Sequence, residues 1–196
     1  ICAGDHGIVW TASENGYLEK IFPDGRILSV NLNQNEHSKN NTYQSIAYSN
    51  GKVYAAELGG GLSVFDSESL KLLKKYDIGD NYCSKILLTT QNETLVGTSD
   101  GLFRLDSASD TFKRISNIPH GFVYTMYEDR NGNIWISLWG KGIYILSPYG
   151  DDVNVLEASG CEGVGFTKIS DLCEDTDGQI LAASSGDGLL IFHPDK

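Results

Sequence analysis

Several groups of residues in this chain carry side chains that could do chemistry, and their spacing decides whether they can. Asp175-Thr176-Asp177-Gly178 has the opening pattern of a calcium loop, in which alternate oxygen ligands converge on one ion. The Glu that would complete such a loop is missing, and Ala182 and Ala183 follow instead. The same residues suit a hairpin turn, as does the equivalent Asp129-Arg130-Asn131-Gly132, which holds a basic residue inside it. Glu128 and Asp129 are adjacent carboxylates, but neighbours on a strand point to opposite faces and cannot flank one bond as acid and base. His6, His37, His120 and His193 show no H-x-x-x-H or H-x-E spacing, and no Gly-x-Ser-x-Gly elbow occurs. Gly59-Gly60-Gly61 is not followed by a helix or by the Lys-Ser/Thr pair of a phosphate loop. Cys2, Cys83, Cys161 and Cys173 contain no C-x-x-C pair; they read as separate buried thiols, with a Cys161–Cys173 disulfide as the alternative. No catalytic residue, metal site or cofactor is expected.

The elements that must position any functional side chain form a repeat. Laying residues 123–148 over 169–194, a shift of 46, matches Glu128 with Glu174, Asp129 with Asp175, Gly132 with Gly178 and Ile134 with Ile180. The register continues through Gly140 and Gly186, Gly142 and Gly188, Ile145 and Ile191, and Pro148 and Pro194. Three further copies follow with small gaps, so that one glycine recurs at positions 16, 61, 101, 142 and 188, at spacings of 45, 40, 41 and 46. That is the period of a four-stranded propeller blade. The fold expected is therefore all-β, about five blades of four antiparallel strands, with boundaries near 1–42, 43–82, 83–121, 122–165 and 166–196.

Runs rich in Val, Ile, Tyr, Trp and Leu between Asn-Gly and Asp-Gly turns support strands in each copy. In the fourth copy they fall at 124–128, 134–138, 142–146 and 153–157. The stretch 69–75 reads as the outer strand of the second blade, with Leu70, Leu72 and Leu73 facing inward. Trp10, Tyr54, Leu95, Trp135 and Leu181 share one position on the second strand of each blade, and are expected to pack between blades as structural residues, together with Gly16, Gly61, Gly101, Gly142 and Gly188.

Composition narrows the partners. With 26 acidic and 15 basic residues the net charge is -11, which repels phosphate backbones, so nucleic acid is not expected. No apolar run is long enough to span a bilayer as a helix. The chain opens at Ile1, and the copies do not close into a ring: the first has an outer strand and the last lacks one. An incomplete arc of a larger, seven-bladed type of propeller is expected, cut from a longer protein, with uncapped surfaces around Trp10 and along the strand at 188–192 that favour self-association.

Glu128-Asp129-Arg130-Asn131-Gly132-Asn133-Ile134-Trp135-Ile136-Ser137, followed by Gly142-Ile143-Tyr144, resembles the two-component regulator propeller repeat: an acidic residue, a Gly-Asn turn, an Ile-Trp-Ile-Gly-Thr strand and a Gly-Gly-Leu-Tyr strand. Val96-Gly97-Thr98 with Gly101-Leu102-Phe103 is a second match, while Ser137 and Ala183 depart from it where the family prefers Gly. The resemblance implies the periplasmic or otherwise extracytoplasmic sensor region of a membrane-anchored hybrid histidine kinase that detects glycans, with further blades and a kinase elsewhere in the parent chain. Kinase activity would then lie outside this segment.

In a propeller the connections between blades, and those from second to third strand, open on one face. Here they supply Trp139, Lys141, Tyr124, His120, Phe122, Tyr82 and Tyr43, aromatic and polar groups suited to an oligosaccharide or other small-molecule ligand. The alternatives are a protein-interaction or dimerisation surface, giving a homodimer, and a propeller enzyme of the streptogramin lyase type.

Overall fold

A computed structural model describes residues 1–32, 42–59, 61–79, 82–150, 152–156 and 168–193. These residues form five separate antiparallel sheets, each a meander in chain order. Blade 1 comprises β1 (Cys2–Ala3), β2 (Val9–Ala12), β3 (Tyr17–Ile21) and β4 (Ile27–Asn31). Blade 2 comprises β5 (Thr42–Ser49), β6 (Lys52–Leu58), β7 (Gly61–Asp66) and β8 (Leu72–Tyr76). Blade 3 follows with β9 (Cys83–Leu88), β10 (Thr94–Thr98), β11 (Gly101–Asp106) and β12 (Thr111–Arg114). Blade 4 has β13 (Val123–Glu128), β14 (Ile134–Leu138), β15 (Gly142–Leu146) and β16 (Val153–Leu156), and blade 5 has β17 (Ile169–Glu174), β18 (Ile180–Ser184) and β19 (Gly188–Phe192). A short 3-10 turn lies at Asp5–Gly7. The first strands of blades 2 to 5 lie side by side, β5 beside β9, β9 beside β13 and β13 beside β17.

A lone sheet cannot cover both its faces, so the blades stack. Four apolar clusters fill the four successive interfaces. Trp10 and Leu18 meet Tyr43 and Val53; Ala56 and Leu62 meet Cys83 and Ile86. Leu95 and Leu102 meet Val123 and Met126, and Trp135 and Ile143 meet Ile169 and Leu172. The repeated second-strand position thus faces the following blade in blades 1 to 4. Trp10, Leu95 and Trp135 are nearly inaccessible, at 1%, 0% and 2% exposure. Leu181, with no following blade among the described residues, is only half-buried.

The same directionality corrects the expectation about the uncapped faces. Trp10 is not on one, because its ring stacks on Tyr48 of blade 2 at 6.1 Å. Apolar residues are left open on both end blades: Tyr17 and Ile27 of blade 1 are 40% and 57% exposed, and Leu189 and Ile191 of blade 5 are 61% and 53% exposed. The reading of 69–75 is corrected too. The strand begins at Leu72, Leu70 is buried in the preceding turn with φ 56°, and Leu72 and Leu73 are exposed. The Asp66 carboxylate accepts from the Ser69 backbone N–H and hydroxyl, so the chain turns where continuous strand was expected.

The acidic pair of the repeat is structural. Glu128 reaches back to the turn of blade 3, accepting from the Thr90 N–H at 2.8 Å and hydroxyl at 2.7 Å. Glu174 does the same to blade 4, accepting the Arg130 N–H at 2.9 Å and pairing with its guanidinium. Asp129 braces its own turn through the Asn131 and Asn133 N–H groups and accepts the Trp135 indole N–H at 2.9 Å. In blade 1 Gly4 stands six residues before the Trp, where Asp129 stands before Trp135. Among the described residues the Trp10 indole nitrogen accordingly has no hydrogen-bond partner.

The small residue two places after the repeated second-strand position also has a reason. A Cβ on Gly97 would lie 2.5 Å from Cγ1 of Val123 in the next blade, so the approach of that blade requires glycine. Ser137 meets the same approach with a hydrogen bond, its hydroxyl donating to the Ile169 carbonyl at 3.1 Å.

Cys2, Cys83 and Cys173 form no disulfide among the described residues, and Cys161 lies outside them. Burial pushes the Cys2 thiol up to about 11, and Cys83 is fully buried, whereas Cys173 is exposed. An alkylating reagent at about pH 8 should therefore label Cys173 in the native protein and spare Cys2 and Cys83 until denaturant is added. Peptide mass spectrometry reads this; native labelling of Cys83 ahead of Cys173 would contradict the packing.

Candidate functional site

One backbone hydrogen bond recurs where each blade joins the next. The N–H of Ser99, Trp139 and Ser185 donates to the carbonyl of Tyr82, Phe122 and Lys168, at 3.0, 2.9 and 2.9 Å respectively. Tyr82, Phe122 and Lys168 are thus equivalent positions in blades 3, 4 and 5. Two residues further on, the first strand of each of blades 2 to 5 carries a bulge opposite the second. The register skips Gln44, Ser84, Tyr124 and Ser170. A bulge re-aims the side chain of its extra residue. Ser84 turns its hydroxyl to the Gly97 and Val123 carbonyls, and Ser170 turns its hydroxyl to the Ala183 carbonyl. Tyr124 instead places a ring against Trp139.

These positions build a row of four aromatic rings. Tyr82 meets Phe122 edge-on at 5.3 Å, Phe122 meets Tyr124 at 5.9 Å, and Tyr124 stacks on Trp139 at 5.2 Å between centroids with 30° between planes. Tyr82 and Phe122 are half-buried and support the row, while Tyr124 and Trp139 remain 40% and 47% exposed. An indole so exposed, held by rings behind it, offers a preorganised apolar platform. The Lys168 ammonium stands 6.0 Å from the Trp139 centroid.

The polar groups around the row mostly hold its loops. Lys141 donates from Nζ to the His120 carbonyl at 2.6 Å, and the His120 ring pairs through Nδ1 with Asp100 at 2.6 Å. Arg114 donates to the carbonyls of Asp100 and Ile118 at 3.1 and 2.8 Å. Together they fasten the connection carrying His120 and Phe122 to the turns of blades 3 and 4.

Six of the seven residues expected from the sequence therefore lie in one cluster, and Tyr43 does not. Tyr43 is 5% exposed and belongs to the core between blades 1 and 2. It sits one place later in the repeat than Tyr82 and Phe122, at the inward position of Cys83, Val123 and Ile169. Its blade has Thr42 at the ring position. Lys168 was not anticipated, although it stands 46 residues after Phe122, in the register of the gapless alignment.

Other candidate chemistry is occupied. Asp175 accepts the Asp177 and Gln179 N–H groups at 2.9 and 2.8 Å and forms the hairpin turn. No cluster of metal-ligating side chains occurs among the described residues. A surface groove of about 400 Å³ on blade 3 is lined by Arg104, Asp106, Lys113 and Arg114, and by none of the four rings.

The two-component regulator propeller family model matches residues 117–140, the segment that holds His120, Phe122, Tyr124, Trp135 and Trp139. Among curated proteins none is significantly similar. Solved structures share the fold. The extracellular domain of the putative hybrid two component system BT3049 from B. thetaiotaomicron is 18% identical with a TM-score of 0.76, over 93% of this chain and 24% of that one. The extracellular domain of the putative hybrid two component system BT4673, from the same organism, is 22% identical with a TM-score of 0.68, over 100% and 28%. The WD40 β-propeller domain of Doa1 is 17% identical with a TM-score of 0.74, over 98% and 62%. The chain spans about a quarter of the length of the two bacterial domains. Residues 117–140 match the two-component regulator propeller repeat and lie within a five-bladed β-propeller arc.

Proposed function

We propose that this chain is part of the extracytoplasmic ligand-sensing propeller of a two-component receptor, and that its aromatic face binds an oligosaccharide. The observation that carries the reading is the row Tyr82–Phe122–Tyr124–Trp139, which leaves its last two rings exposed. Sugar rings present apolar C–H faces to such a platform and hydroxyl edges to polar neighbours, here Asp100, His120 and Lys141. The family match and the likeness to extracellular domains of bacterial two component systems support the sensor role and the placement outside the cytoplasm, in the periplasm or at the cell surface. Signal output belongs to a kinase outside this segment. The segment binds without turnover: its paired carboxylates, Glu128-Asp129 and Glu174-Asp175, are engaged by backbone N–H groups.

An oligosaccharide array probed with this chain tests the reading. Binding to at least one glycan class is expected, and Trp139→Ala should weaken it at least about tenfold, as loss of a central aromatic anchor does. Binding unchanged in Trp139→Ala would remove this face from the account. A second reading, a protein-docking or dimerisation surface, is favoured by the exposed Leu189 and Ile191 on the outer face of blade 5. Sedimentation of wild type against Leu189→Asp tests it, because a dimer built on that face would dissociate.

A further inference from the structure

The three cations around the aromatic row are not equivalent. Arg114 and Lys141 are spent on backbone carbonyls, as described above. Lys168 is exposed, and among the described residues its ammonium has neither a hydrogen bond nor an ion pair; it stands over the Trp139 ring at 6.0 Å. It occupies the position that blades 3 and 4 fill with Tyr82 and Phe122, so blade 5 presents a charge where its neighbours present rings. A pyranose lying on Trp139 would bring its exocyclic substituents within a few ångströms of Nζ. A neutral substituent would leave that charge unpaired at the contact, and an anionic one would pair with it.

We infer that the ligand of this face is an anionic sugar, bearing a carboxylate or a sulfate, and that Lys168 is the residue that selects it; the inference rests on the sugar-binding reading above. The net charge of -11 opposes anions at long range, but at physiological salt that field decays over about 8 Å, and a contact pair outweighs it locally. Asp100, the carboxylate named in the site, is already paired with His120.

Calorimetry on the 196-residue chain tests this with matched probes: oligogalacturonate against its methyl ester, and sulfated against desulfated chondroitin oligosaccharide. The charged member of at least one pair should bind up to about fivefold more tightly at low salt, the scale of an exposed ion pair. That preference should vanish in Lys168→Met and at about 0.5 M salt, while Trp139→Ala weakens both members. Preference within the first pair names a carboxylate, and within the second a sulfate. Equal binding of charged and uncharged members, or a preference that survives Lys168→Met, overturns the inference; if Trp139→Ala still weakens both, the sugar-binding reading stands. Failure of all four probes to bind, with a neutral glycan binding on the array, overturns the inference and leaves the sugar-binding reading standing.

Discussion

Trp135→Ala is expected to lower the stability of the chain by about 3–5 kcal/mol, the cost of truncating a fully buried large aromatic. Trp135 is 2% exposed and lies in the interface between blades 4 and 5, with Ile143, Ile169, Leu172 and Ile180, and with the Phe192 ring 5.9 Å away. These neighbours belong to two sheets held apart by their own ladders, so they cannot collapse fully into the space. The substitution also removes one donor from the buried Asp129 carboxylate, which keeps the Asn131 and Asn133 N–H groups. Trp135→Phe separates the two contributions, since it retains most of the volume and should cost only about 1–2 kcal/mol. Urea midpoints measure both. A midpoint unchanged in Trp135→Ala would mean that blades 4 and 5 do not pack as described.

Gly61→Ala is expected to cost roughly 3 kcal/mol or more, from two independent causes. Gly61 starts β7 with φ 86°, in the left-handed region that a Cβ disfavours. A Cβ there would also fall inside van der Waals contact of the Tyr76 backbone carbonyl oxygen, and backbone cannot rotate away as a side chain can. The outer strand β8 would have to separate from β7. Gly59→Ala is the matched control: φ is 84°, yet nothing lies within 4 Å of its added Cβ, so only the conformational cost applies. Equal losses in the two variants would show that the close approach of β8 is not real.

The repeat explains which parts of this structure were legible in the sequence. Strands Ile134–Leu138 and Gly142–Leu146 were read to the residue, because turn glycines and braced Asp residues mark their limits. The five glycines at the start of the third strand all have positive φ, from 80° to 115°, a backbone requirement that only composition at fixed period can reveal. Side-chain direction was less legible. Residue type alone groups Tyr43 with the ring-position residues, but a shift of one place in the frame separates the exposed face from the core. Leu72 and Leu73 were placed inward by hydrophobicity, although nothing packs over the outer strand of a blade at those positions. The bulge at Tyr124, which aims its ring at Trp139, comes from an extra residue in pairing and leaves no mark in one strand read alone. Lys168 was legible in principle, one residue before the aligned block, but a search for aromatic side chains passes over a lysine.

The three tryptophans of the chain report directly on whether ligand binds on the aromatic row. Trp10 and Trp135 are buried in blade interfaces, and Trp139 alone is exposed, so their indole N–H resonances mark two cores and one candidate site. Each can be assigned by a Trp→Phe substitution. Titration with the tightest-binding oligosaccharide from the array should shift the Trp139 indole resonance and leave those of Trp10 and Trp135 in place. A saturable binding isotherm during which the Trp139 resonance stays fixed would place the ligand away from the aromatic row.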